Sequence, residues 1–323
     1  MTGVVAIVRG SGRRCGAVLW LGLCLAAPAQ ATRGAAALQV ALDRQWFSPG
    51  CIDDHWGAQT RAALRAWQSA HRLPVTGAPD AATAATLKLE VPAFLAYTVT
   101  AEDVAQLGPA PADWRARAAL PRLPYETLLE LLAERFHATQ RFLRQLNPGT
   151  DWATLQPPAV VQVPNVQGDL TPRRAGQIRI NLAQKWLAVY DPAGALCAFF
   201  PCSIGRDKMR RPAGILQVAA LAPNPNYTFD PRVFPESPEA QAIGVKLIIP
   251  PGPNNPVGVL WLSIGRPPGS REPPLSGYGI HGTPKPEEIG KTESHGCFRL
   301  ANWNAERLGR MAEVGIPVVV DAE

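Results

Sequence analysis

One stretch near the C-terminus constrains this chain more than any other: Gly277-Tyr278-Gly279-Ile280-His281-Gly282-Thr283, followed by Ser294-His295-Gly296-Cys297-Phe298-Arg299-Leu300. Two of the five histidines and one of the six cysteines fall between residues 281 and 297, with glycine on either side. A thiolate is a strong nucleophile, but a free cysteine needs a lowered pKa or a neighbouring base to act at neutral pH. A histidine beside it can take the thiol proton and return it to a leaving amine. Flanking glycines let backbone N–H groups come close to a substrate carbonyl, as an oxyanion hole requires. The pattern therefore predicts a Cys-His acyl-transfer site around Cys297.

Two plainer readings compete with it. Free cysteine is often a buried structural residue. His281, His295 and Cys297 are also the residue types of a three-ligand zinc site. The zinc reading lacks a clear fourth ligand, and the Ser-His-Gly-Cys tetrad is far more specific than a scattered Cys-His pair. No metal and no cofactor are expected.

Ile280-His281-Gly282-Thr283 with Ser294-His295-Gly296-Cys297-Phe298-Arg299-Leu300 resembles the signature of the L,D-transpeptidases, cell-wall enzymes of the YkuD fold and the ErfK/YbiS type. The resemblance runs upstream to about residue 176. Ile178-Arg179-Ile180-Asn181-Leu182 and Trp186-Leu187-Ala188-Val189-Tyr190 resemble its opening hairpin. Pro201-Cys202-Ser203-Ile204-Gly205-Arg206, Arg211-Pro212-Ala213-Gly214 and Asn254-Asn255-Pro256-Val257-Gly258 match further family segments, with Arg211 where threonine is common. The short spacer at 282–293 and Arg299 resemble the Gram-negative branch. The resemblance implies a mainly-β catalytic domain over 176–321, a sandwich or barrel-like fold with one helix. Within it residues 223–257 read as a long Pro- and Asn-rich loop, Val259 to Ile264 as a strand, and Asn302 as the cap of the helix.

Residues 1–31 read as a secretory signal. Arg9, Arg13 and Arg14 precede the apolar run Cys15 to Ala27, and Ala29-Gln30-Ala31 is an A-x-A cleavage site. The run is too short to favour a membrane span, so no stable span is expected after cleavage and the periplasm is the expected compartment. Formal net charge is +6, of which the signal carries three arginines and no acid. The remaining excess is too small and dispersed to argue for nucleic acid. Cys51, Cys197, Cys202 and Cys297 remain. A bridge between Cys197 and Cys202 is disfavoured if they share a strand, spacing leaves Cys51 open, and no structural disulfide is the default.

Residues 35–90 predict a small all-α module. Leu38, Leu42 and Trp46 recur at helical spacing, as do Thr60, Ala63, Leu64 and Trp67, and Asp80 is placed to cap a third helix. Asp53-Asp54-His55-Trp56-Gly57, Thr60, Trp67-Gln68, Thr76-Gly77 and Asp80 resemble peptidoglycan-binding domain 1, which implies glycan strands as partner. The alternative is a generic three-helix bundle. Residues 97–165 predict a β-α-α-β order that resembles a small α+β LysM-like module. It is degenerate, because residues 100–124 interrupt it and Pro124-Tyr125-Glu126-Thr127 replaces the usual turn. It serves either as a spacer or as a second glycan binder.

The resemblance also implies the chemistry: Cys297 attacks a peptidoglycan stem peptide, releases the terminal D-residue and passes the acyl group from a thioester to an amine. Gly296 and Cys297 N–H are candidate oxyanion donors, and the Gly282 carbonyl a candidate orienter of His281. In that chemistry His281 is the base, Ser294 is expected to fix the loop geometry, and His295 either assists or braces the loop, with bracing favoured. Arg299 either binds a substrate carboxylate or pairs with a structural acid, and Tyr278 lines the pocket or packs. The same site also suits attachment of an outer-membrane lipoprotein acceptor, or hydrolysis. An inactive peptidoglycan-binding protein is the reading from another class, and the intact His281/Cys297 pair argues against it.

Overall fold

The structure, a computed structural model, describes residues 34–168 and 171–321. The expected signal at 1–31 lies outside the described residues. Among the described residues no helix is long and apolar enough to cross a membrane.

Helices α1 (Gly34–Arg44), α2 (Ala58–Ala70) and α3 (Ala81–Thr86) form the N-terminal bundle. Leu38 and Leu42, one turn apart, are buried with Ala63, Leu64, Trp67 and Leu87. The Asp80 carboxylate accepts from Thr83 N–H at 2.8 Å and caps α3, a device worth about 1 kcal/mol. The α2–α3 loop is pinned by the buried Gln68 amide, which accepts from Gly77 N–H at 2.9 Å and donates to Ala78 O at 3.0 Å.

Trp46, expected to continue the helical spacing of Leu38 and Leu42, does not. The chain leaves α1 after Arg44, Trp46 adopts φ 65°, and its side chain joins the core of the C-terminal domain.

The middle segment pairs β1 (Phe94–Thr98) with β2 (Val160–Pro164) in antiparallel register, Phe94 opposite Pro164. Between them lie α4 (Ala101–Val104), α5 (Trp114–Ala118), α6 (Leu128–Arg135) and α7 (Gln140–Leu146). The two expected helices are α6 and α7, whose Leu128, Leu132, Phe142 and Leu143 pack with Val161 and Val163. Thr127 and Glu130 form a reciprocal capping box that starts α6. The interrupting stretch contributes α4 and α5.

The C-terminal domain contains β3 (Gln177–Asn181), β4 (Trp186–Tyr190), β5 (Leu196–Pro201), β6 (Ile204–Gly205), β7 (Gly214–Pro223), β8 (Tyr227–Phe229), α8 (Pro238–Ile243), β9 (Leu247–Ile249), β10 (Leu260–Gly265), β11 (Gly279–His281), β12 (Thr292–Ser294), β13 (Phe298–Arg299), α9 (Asn302–Met311) and β14 (Pro317–Asp321). Eight strands run in the order β13-β11-β10-β7-β14-β3-β4-β5. Just beyond β5, Ser203 bridges Arg299 of β13 with two backbone hydrogen bonds of 3.0 Å, so the sheet nearly closes on itself. The expected barrel-like form is what results. Alternation along β10 turns Leu260, Leu262 and Ile264 inward, against Val218, Ile280, Phe298 and Leu308 of α9.

Two expectations change here. Residues 223–257 are not an irregular loop: β8 pairs with β9 around α8, so the domain has a second helix besides α9. Asn302 does not cap α9, whose N-cap is Ala301. The Asn302 side chain is buried and turned inward, for a reason given below.

Candidate active site

The site is delivered by the edge of the large sheet. Strand β11 pairs antiparallel with β10, which sets Trp261 opposite His281, and parallel with β13, which sets Ile280 opposite Phe298 and His281 opposite Arg299. Cys297 immediately precedes β13, so the thiol and the imidazole come from adjacent strands held in fixed register. Trp261 stacks on His281 with centroids 5.4 Å apart and planes at 17°.

His281 is buried, and its Nδ1 lies 2.7 Å from the carbonyl oxygen of Gly282. A carbonyl can only accept, so Nδ1 carries the proton and Nε2 the lone pair. Burial removes solvent from a would-be imidazolium and pushes its pKa down to about 4; the Gly282 contact opposes this and the Arg299 charge adds to it. The half-buried Cys297 thiol donates to Gly277 O at 3.6 Å. Burial raises its pKa, against the pull of Gly279 hydrogen bonding and the Arg299 charge. Both shifts favour the uncharged form of the group concerned.

The turn before Cys297 is tied by Ser294, whose Oγ donates to Cys297 O at 2.6 Å and accepts from Gly296 N–H at 3.3 Å. Gly296 takes φ 144°, and a β-carbon there would meet Tyr278 Cε1 at 2.7 Å, so the turn needs glycine. The half-buried Tyr278 ring lies against that glycine. The segment Ser203-Ile204-Gly205-Arg206 runs beside the turn: β6 pairs with β12, and Arg206 N–H donates to Ser294 O at 2.7 Å. That juxtaposition is the physical content of the Pro-x-Ser-x-Gly-Arg pattern.

The other expected residues spread outward. Arg299 pairs with Glu293 at 3.3 Å. His295 is exposed and points away from the thiol–imidazole pair, edge-on to Phe234 at 5.0 Å and 3.5 Å from Glu236. Among the described residues no group of three His, Cys, Asp or Glu side chains converges as metal ligands would.

The four described cysteines are all free thiols. Burial pushes Cys197 up to about 11 and Cys202 up to about 12, and raises Cys51 as well.

Three contributors lie outside the residues singled out from the sequence. Trp261 was signalled by the alternation of β10, which puts it on the face opposite Leu260 and Leu262. Glu293 is close in sequence to its partner Arg299. Tyr227, on β8, is near enough for the Cys297 and Arg299 charges to act on its phenol, which burial pushes up to about 12. Nothing in the sequence marked it, because it reaches the site only through the folding of residues 223–257.

Two segments of the chain match known families. Residues 175–320 match the family described as "L,D-transpeptidase catalytic domain", YkuD, and residues 34–87 match "Putative peptidoglycan binding domain". The chain is 26% identical to "Putative L,D-transpeptidase YkuD" of Bacillus licheniformis over 61% of its own length and 94% of that protein. It is 28% identical to "Probable L,D-transpeptidase YbiS" of Escherichia coli K12 over 59% of its length and 58% of that protein. An L,D-transpeptidase structure from Mycobacterium smegmatis overlaps 54% of this chain and 81% of that one at 20% identity and a TM-score of 0.34, too low to carry an argument. Residues 175–320 are therefore an L,D-transpeptidase catalytic domain of the YkuD family, joined in one chain to a peptidoglycan-binding module at residues 34–87.

Proposed function

We propose that the protein is a cysteine-dependent L,D-transpeptidase of peptidoglycan stem peptides, with Cys297 as nucleophile and His281 as general base. The observation that carries this reading is the 2.7 Å contact of His281 Nδ1 with Gly282 O, which leaves the Nε2 lone pair available as a base. With Nδ1 committed to Gly282 O, Nε2 takes the proton from sulfur as the thiol attacks the carbonyl between an L-centre and the terminal D-residue. The C–N bond then breaks, His281 returns the proton to the departing amine, and a Cys297 thioester remains. An acceptor amine attacks that thioester, the C–S bond breaks, and the thiol is regenerated.

Around this pair, the Cys297 N–H serves the developing oxyanion, since the Gly296 N–H is already engaged by Ser294. Ser294 braces the turn, and Arg299 offers its charge beside the thiol while paired with Glu293. His295 and Tyr278 shape the rim. The module at 34–87 raises local substrate concentration. Residues 97–165 are a degenerate LysM-like module acting as a structural spacer, because acids of its α6 are engaged by the catalytic domain. A peptidoglycan substrate implies a location outside the cytoplasmic membrane, for which the periplasm is the compartment proposed.

The test is incubation of protein beginning at Thr32 with disaccharide-tetrapeptide, followed by mass spectrometry of the muropeptides. A crosslinked dimer lacking one D-alanine is expected. Tripeptide alone would replace crosslinking by hydrolysis or by transfer to a protein acceptor such as an outer-membrane lipoprotein. Unchanged substrate with folded protein would favour a non-catalytic wall-binding role.

A further inference from the structure

The Gly282 peptide, whose carbonyl fixes the His281 tautomer, donates its N–H to Leu260 O at 3.2 Å and has a side chain packed against it that is tied to the middle segment. Asn302, at the first turn of α9, is buried with its amide against this peptide: an ideal β-carbon on Gly282 would lie 2.2 Å from Asn302 Oδ1, and one on Gly258 would lie 2.0 Å from it. The same oxygen accepts from Val259 N–H at 3.3 Å. On its other side, Asn302 Nδ2 donates to Glu134 Oε2 at 2.9 Å and to Pro253 O at 3.2 Å. Glu134 belongs to α6 of the middle segment, and its second oxygen accepts from Tyr125 O–H at 2.8 Å.

The connection is reinforced one turn earlier on the same helix face. Glu130 and Glu134 are four residues apart, so they project from one side of α6. Glu130 Oε1 accepts from Asn254 Nδ2 at 2.7 Å, and Asn254 also donates to Pro124 O at 2.8 Å. The two acids thus grip the two asparagines that bracket the approach to β10 and the exit from β13.

We propose that Glu134 is a positioning residue for the thiol–imidazole pair: through Asn302 it fixes the Gly282 peptide and thereby the orientation and tautomer of His281. The proposal rests on the reading of Cys297 and His281 as the reacting pair. It makes the middle segment part of the active-site scaffold. A mobile Gly282 carbonyl would let His281 turn or exchange its proton between ring nitrogens, and Nε2 would no longer meet the thiol in the base form. Burial pushes the Glu134 carboxyl up to about 7, opposed by the Tyr125 and Asn302 hydrogen bonds and reinforced by Glu306 and Glu130. Arg135 is the cation acting on Tyr125 beside it.

The experiment measures alkylation of Cys297 by iodoacetamide across pH, resolved by peptide mass spectrometry, in the full chain and two variants. Glu134→Gln keeps an acceptor for Asn302, whereas Glu134→Leu keeps the volume and offers none. Glu134→Leu is expected to slow Cys297 alkylation at pH 7 by about tenfold and to move the midpoint of its pH profile upward. Glu134→Gln should restore most of the rate and the midpoint. A purely structural role would lower the unfolding temperature and leave the midpoint of the folded fraction in place, and that result overturns the proposal. If Glu134→Leu does not fold, Asn302→Asp reads the same link, since it keeps the acceptor toward Val259 and loses the donor toward Glu134. An Asn302→Asp profile equal to that of the unaltered protein would likewise overturn it. Alkylation needs no wall substrate, so failure of the transpeptidase reading would leave this test standing.

Discussion

Under the Trp261 ring, an imidazolium at His281 would be stripped of water, which is why the pKa falls to about 4. A folded-state pKa below the unfolded value of about 6.5 makes a contribution to stability that is complete above that value and is lost as pH falls toward 4. The same shift keeps His281 in its base form through mildly acidic conditions. A ring-proton titration by NMR should show no protonation of His281 at pH 6 and a midpoint near 4; a midpoint at 6.5 would contradict the buried, Trp-stacked ring. The pair itself was legible in the sequence because chemistry demands those residue types close together between glycines. What hid was the surrounding shell. His295 neighbours Cys297 in sequence, yet a two-residue step through a turn whose Gly296 takes φ 144° carries its ring away to Phe234 and Glu236.

Among the elements, the ribbon and helix over 227–249 decide what overhangs the thiol. They carry Tyr227 toward Cys297 and Phe234 and Glu236 toward His295. Their own core is small, and it is completed from the middle segment: Leu123 is buried with Phe229, Ala240, Ile243 and Ile249, while Trp114 of α5 stacks on Phe229 at 4.5 Å. Arg115 donates to Ile243 O at 3.1 Å, and Leu123 N–H to Pro251 O at 2.9 Å. Residues 100–124, which interrupt the LysM-like order, thus serve as a buttress for this overhang. Trp114→Ala removes a stacked pair worth about 1 kcal/mol beyond its buried area, enough to raise local opening several-fold. Limited proteolysis should then cut within 230–246 several times faster, with little change in the global unfolding temperature. An unchanged cleavage pattern would mean that the ribbon stands without α5. Strands β3 and β10 were legible because alternation with one buried face leaves a period of two, whereas β4 also buries Ala188 on its other face, in the core of the N-terminal bundle. The overhang was not, because its apolar residues are sparse among prolines and find their partners more than a hundred residues away. Asn302 misled for a related reason: its position suits a cap, but its amide satisfies buried backbone groups on another element.

At the scale of the molecule, three segments meet in one buried polar cluster. Arg307 of α9 donates to both Asp43 oxygens at 2.9 Å, and His137, from the turn after α6, approaches the same carboxylate at 2.7 Å. Burial alone would raise the Asp43 pKa, but the charges of Arg307 and His137 hold it well below the usual carboxylate range. Breaking such a pair leaves a charge stranded away from water and costs about 3–5 kcal/mol. Ser48 accepts from Asn304 at 2.9 Å, Trp46 lies under the Arg307 guanidinium, and His137 stacks on Trp303 at 5.0 Å. The described residues accordingly belong to a single compact unit. The helical module at 34–87 is thus packed on the catalytic domain through Asp43, Trp46 and Ser48 and the residues they meet. The measurement that bears most directly on this account is the intact mass of the full chain, quenched within seconds of mixing with disaccharide-tetrapeptide. The account predicts an adduct equal to the donor less its terminal D-residue, located on the peptide containing Cys297, absent in Cys297→Ala and strongly reduced in His281→Ala. An unmodified Cys297 in folded protein at every time point, or an adduct that survives in Cys297→Ala, would contradict it.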